Sequence, residues 1–100
     1  MKKEFSLETI LSVMSGYKLP ETTICDVYNL IKFVVHKDVE FSHDDYFYEA
    51  VSECKKRLLE QHPKLERIIG VTSDEIMQDG WFEDQLNTFG RSLEITSDSE

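Results

Sequence analysis

One hundred residues with 40% apolar side chains are enough for one domain with its own core, and too rich in apolar and aromatic residues for the bulk to be disordered. The net charge of −9 argues against direct nucleic-acid binding, which needs Lys and Arg to neutralise phosphates. Residues 1–69 carry 12 acids and 10 bases, whereas residues 70–100 carry 8 acids and one base, Arg91, so the acidity is concentrated in the C-terminal segment.

Met1-Lys2-Lys3 is not followed by an apolar run of signal-peptide length, and no stretch is long enough to span a bilayer. The expectation is a cytoplasmic protein without a membrane partner. Residues 2–5 read as an extended lead-in. Phe5-Ser6-Leu7-Glu8-Thr9-Ile10 then announces a helix, with Ser6 as N-cap, Glu8 at the positive dipole end and a Phe5/Ile10 staple. Leu7, Ile10, Leu11 and Met14 form its apolar stripe, and Gly16 supplies the left-handed C-cap.

Residues 17–22 form a loop around Pro20, and Thr22 or Thr23 caps the next helix. That helix, residues 23–35, places Ile24, Val27, Tyr28, Ile31, Val34 and Val35 on one face, widened by Leu30 and Phe33. So apolar a segment is expected at the centre of the domain, covered from more than one side. Cys25 and Cys54 both fall in apolar stripes, and both are expected to be buried thiols.

Phe41-Ser42-His43-Asp44-Asp45-Tyr46 repeats the helix-start signal, with Ser42 as cap and a Phe41/Tyr46 staple. Phe47, Ala50, Val51, Cys54 and Leu58 are the inward stripe of a third helix that ends near Gln61, because Pro63 disfavours helix at His62. Residues 63–69 suit a separate short turn of helix, ended by Gly70. Thr72 with Glu75 makes a capping box, and Gly80 separates two short helices at 73–79 and 81–89. Ser92-Leu93-Glu94-Ile95-Thr96 alternates and reads as a strand, with residues 2–5 as its partner. The fold class is mainly α: a single domain over residues 1–100, with four or five helices and a short C-terminal strand paired to the N-terminus.

Phe5-Ser6, Leu11-Ser12-Val13, Gly16, Asp26-Val27-Tyr28 and Phe41-Ser42-His43 form one part of a recognisable pattern. Glu53-Cys54 and Leu58-Leu59-Glu60-Gln61-His62-Pro63, with Leu65, form another. Over about residues 5–65 the chain resembles a family of small proteins of unknown function encoded by phages and prophages. Relatives show Thr-Gly-Arg-Leu where this chain has Ser15-Gly16-Tyr17-Lys18-Leu19. The resemblance implies a phage or mobile-element setting and supplies no catalytic residue.

Chemistry has few footholds. His36, His43, His62, Cys25 and Cys54 lack ligand-pair spacing, so no metal or other cofactor is expected. The cysteines have no local base, no Gly-rich phosphate loop is present, and the 20 acids single out no catalytic pair, so the expectation is a non-enzyme. The remaining lead is acidic patterning. Asp45, Glu49 and Glu53 are four apart on the third helix, where like charges disfavour helix by a few tenths of a kcal/mol per pair. Asp74, Glu75, Asp79, Glu83 and Asp84 form a second cluster around Trp81. One reading is a face that merely keeps the protein soluble, as in a phage structural or assembly protein. The sharper one is an acidic nucleic-acid mimic that docks on the basic surface of a host nucleic-acid-binding protein, a defence effector such as a CRISPR nuclease included. Trp81 would then be an aromatic anchor, or alternatively a core residue. A DNA-reading helix-turn-helix is disfavoured because the third helix opens Ser42-His43-Asp44-Asp45.

Overall fold

In a computed structural model of the chain, residues 2–35 and 45–96 are described. The elements are β1 (Lys2–Ser6), α1 (Leu7–Ser15), α2 (Ile24–Val35), α3 (Asp45–Gln61), a 3-10 turn (Pro63–Ile68), α4 (Ser73–Ile76), α5 (Trp81–Phe89) and β2 (Ser92–Thr96). The domain is mainly helical, with a two-stranded antiparallel sheet that joins the first element to the last.

The expected punctuation is present. The Ser6 side chain accepts from the Thr9 N–H, and Gly16 closes α1 at φ 84°, in the left-handed region. Thr23 rather than Thr22 caps α2. The Asp26 N–H donates to its hydroxyl at 3.1 Å, while the Thr23 N–H donates to the Asp26 carboxylate at 3.3 Å. Thr72 accepts from the Glu75 N–H, so half of the expected capping box forms. The stop between α4 and α5 falls at Gly80, whose φ of 85° an L side chain would resist. The Ser42 cap and the Phe41/Tyr46 staple lie outside the described residues, as does the side chain of Phe47.

The centre of the domain is α1, not α2. Seven of the nine α1 residues are buried, and α1 packs against β1, α2, α3 and the 3-10 turn. In α2 only Leu30, Ile31, Val34 and Val35 are buried; Ile24 is 46% exposed and Cys25 is exposed. The expectation of a central α2 and of two buried thiols is therefore corrected. A wide apolar face shows that cover is wanted, without showing where neighbours exist. Part of that width goes to Phe33, which meets the Phe5 ring at 5.4 Å between centroids.

The centrality of α1 depends on hydroxyls. Thr9 and Ser12 are buried because each is bonded: Thr9 Oγ1 lies 2.8 Å from both Ser6 Oγ and Thr22 Oγ1. Ser12 donates to the Glu8 carbonyl at 2.7 Å and accepts from the Leu19 N–H at 2.9 Å. These bonds draw the 17–22 loop over the polar flank of α1 and bury Leu19. Around α1 the core collects Leu58 and Cys54 of α3, Leu65 and Ile68 of the 3-10 turn, Phe5 and Ile95.

The strand pairing is in the expected place, with Lys2 opposite Thr96 and Phe5 opposite Leu93. Phe5 and Ile95 face the core, and Lys3 lays its ammonium 5.3 Å above the Phe5 ring. A two-stranded ribbon is marginal by itself. Here its outer edge is taken by the end of α3. Gln61 Nε2 donates to the Thr96 carbonyl and Gln61 Oε1 accepts from the Thr96 N–H, both at 2.7 Å. The His62 ring lies 2.9 Å from the Glu94 carbonyl.

Candidate partner-binding surface

The two acidic clusters differ in what holds them. On α3, Asp45 is the first helical residue, with its side chain outside the described set, and Glu49 is exposed. Glu53 is not a free carboxylate: it accepts from Arg57 Nε at 2.9 Å, one turn on, with its side chain 43% exposed. Arg57 also donates through Nη1 to the Val34 carbonyl at 3.1 Å, so it pins α3 to the C-terminal end of α2 and satisfies a helix-end acceptor. The predicted row thus runs into an internal ion pair, and Lys55 and Lys56 lie on the same helix.

The second cluster is fully displayed. Asp74, Glu75, Asp79, Glu83 and Asp84 are all exposed, and no Lys or Arg occurs between Ser73 and Asp84. Four of them sit in first helical turns, Asp74 and Glu75 in α4 and Glu83 and Asp84 in α5, where a negative charge complements the dipole. Local folding therefore tolerates this density of charge.

Trp81 and Phe82 do two jobs. Both are half-buried against the core, and both line an open groove of about 510 Å3 between the 17–21 loop and α4–α5. Leu19, Pro20, Ile76 and Met77 add apolar wall, and Tyr17 completes it. Tyr17 is 47% exposed and Met77 is 83% exposed. Sequence pattern singles out Trp81 but not these two. Tyr17 and Met77 belong to no periodic stripe; the weak signal available is a large apolar residue beside a glycine-bounded turn. The polar groups lining the groove include Glu8, Glu21 and Lys18. The Lys18 ammonium is spent on its own loop, donating to the Leu19 and Thr22 carbonyls at 3.2 and 3.0 Å.

The cysteines are chemically distinct. Burial pushes the Cys54 thiol from its ordinary 9.0 up to about 12, against a smaller opposite pull from the charges of Arg57 and Lys55. It stays protonated at neutral pH, and a buried protonated thiol is a poor nucleophile. Among the described residues no three His, Cys, Asp or Glu side chains are grouped to hold a metal ion. No helix among them is long and apolar enough to cross a membrane. Gln85 is buried, donating from Nε2 to the Trp81 carbonyl at 3.3 Å while its Oε1 has no partner among the described residues. Comparison with protein-family models, with curated proteins and with solved structures found no match to the chain.

Proposed function

We propose that this is a non-catalytic phage accessory protein that binds and inhibits a host protein, acting in the host cytoplasm as an acidic mimic of nucleic acid. The target class is a protein with a basic nucleic-acid-binding surface, such as a defence effector. The observation that carries the reading is the display of Asp74, Glu75, Asp79, Glu83 and Asp84 on a stretch free of bases. Carboxylates spaced along such a surface can engage Arg and Lys side chains that otherwise hold phosphates. The phage setting rests on the sequence resemblance over residues 5–65. Glu49 and Asp45 are secondary contacts in this reading. Glu53 contributes less, since its charge is answered by Arg57.

The test is capture of a partner from host lysate at low and at high salt, followed by a direct binding measurement with the purified partner. Replacing Asp74, Glu75, Asp79, Glu83 and Asp84 by their amides should weaken binding roughly tenfold or more, mainly through slower association at low salt. DNA or RNA should compete for the same partner. Unchanged affinity in the amide variant would sink the mimicry. Capture only of particle components, with self-association of the chain, would favour the rival reading of an assembly protein.

A further inference from the structure

We infer that the groove between the 17–21 loop and α4–α5 is an anchor site for a basic amphipathic segment of a partner protein: its apolar side chains enter between Tyr17, Met77 and Trp81, and its Lys and Arg lie on Glu8, Glu21 and the acidic stretch of α4–α5. The inference rests on the reading that the chain works by binding a basic partner, and it adds a defined place and a second, apolar requirement to that reading.

Three observations carry it. First, the groove has the size and apolar lining of a recognition site, about 510 Å3. Two of the four exposed large hydrophobic side chains among the described residues, Tyr17 and Met77, are gathered there. A thioether and a phenol are adaptable contact groups, and both lie open to solvent at a cost that the core does not require. Second, the charge around the groove has one sign. Lys18 is the single base lining it among the described residues, and that ammonium is held by the carbonyls of Leu19 and Thr22. Glu8 and Glu21 make no ion pair among the described residues. Third, the charge excludes the other occupants. A second copy carries the same −9 and would bring carboxylates onto carboxylates. The segment 97–100, Ser-Asp-Ser-Glu, offers no apolar side chain to insert. An apolar, base-flanked segment satisfies both the wall and the rim, as in helix-in-groove recognition.

Trp81 is the single tryptophan, so its fluorescence reports the groove directly. The probes are three synthetic helical peptides of about four turns. One has a leucine face and a lysine face, one has the same leucine face with glutamate in place of lysine, and one has the lysine face with serine in place of leucine. The Lys/Leu peptide should shift the Trp81 emission saturably and bind at least about tenfold tighter than either control. Tyr17→Ser with Met77→Ser, both at exposed positions, should lose roughly tenfold in that affinity with the melting temperature unchanged within a few degrees. Equal binding of the Lys/Ser and Lys/Leu peptides would overturn the inference, because charge alone would suffice. So would a Tyr17→Ser, Met77→Ser variant that binds the Lys/Leu peptide normally, or absence of binding by all three. The same variant, taken into the partner assay, separates the two proposals. Full partner binding by it overturns the groove and leaves mimicry standing. A peptide-binding groove in a chain whose partner ignores the amide variant overturns mimicry and leaves the groove.

Discussion

At the scale of single residues, the two cysteines make the sharpest contrast. Cys25 is exposed on the first turn of α2 and Cys54 is buried on α3, although both occupy apolar stripes in the sequence. A thiol reagent at neutral pH should therefore modify one thiol per native chain, Cys25, and reach Cys54 only in denaturant; peptide mapping of the labelled protein checks this. The raised pKa of Cys54 also has a sign in stability. The unfolded thiol ionises above about 9, while the folded one keeps its proton to about 12. The stabilising contribution is thus complete below the unfolded value and is lost as pH rises across that window. Between about pH 8 and about pH 11, wild type should lose stability faster than Cys54→Ala, so the gap between their melting temperatures should narrow. A constant gap would mean that the thiol ionises as readily in the fold as outside it. Such a difference was invisible in the sequence, because helical period assigns a face and burial depends on what packs there. The caps at Ser6, Gly16 and Thr23 were legible for the opposite reason: donor and acceptor lie within four residues of each other. Glu53 and Arg57 are also four apart, so that pair was within reach of a sequence reading that attended only to like charges.

At the scale of elements, β2 shows how a five-residue strand is kept. Pairing with β1 serves one edge, and the carboxamide of Gln61 serves the other by acting as a strand backbone would, donor to carbonyl and acceptor to N–H. Replacing Gln61 by Ala removes two short bonds at an exposed site, each contributing about 0.5–1.5 kcal/mol, so a loss of about 1–2 kcal/mol is expected. Gln61→Glu keeps the acceptor and loses the donor, setting a carboxylate against the Thr96 carbonyl; it should cost at least as much. Urea unfolding of the three proteins measures the difference, and equal midpoints would show that the clamp contributes nothing. The alternation of residues 92–96 sufficed to predict a strand and its partner. The clamp was not legible, since it joins residues 35 apart through a side chain that also reads as an ordinary helix end. The groove was hidden in the same way: the 17–21 loop and α4–α5 meet only after α1 has taken the centre, and α1 takes the centre through hydroxyl bonds reaching Thr22 and Leu19.

At the scale of the molecule, charge is unevenly spread. The bases Lys55, Lys56, Arg57, Lys64 and Arg67 belong to α3 and the 3-10 turn, while α4 and α5 carry carboxylates alone. A net −9 on a 100-residue domain repels itself, and salt screens that repulsion over about 10 Å at 0.1 M. The melting temperature should rise by about 3–5 °C between about 0.02 M and about 0.5 M NaCl. A flat or falling curve would mean that attractive pairs dominate the surface. The same screening should weaken partner binding, so stability and affinity are expected to move in opposite directions with salt. That opposition distinguishes a carboxylate surface used for recognition from one that only confers solubility.

The ribbon of β1 and β2 has a consequence for how the chain is made. Lys2 and Thr96 are direct neighbours across the sheet although nearly the whole chain separates them. Synthesis from the N-terminus delivers β1 first and its partner last, so β1 waits unpaired until residues 92–96 have been synthesised. For a mainly helical domain this places one long-range closure at the end of folding, and such closures slow the process. It also makes the two ends interchangeable with a turn. A short linker joining residue 2 to residue 96, with the chain opened in one of its loops, would convert that late encounter into a local hairpin and should speed folding while leaving the packing around α1 in place.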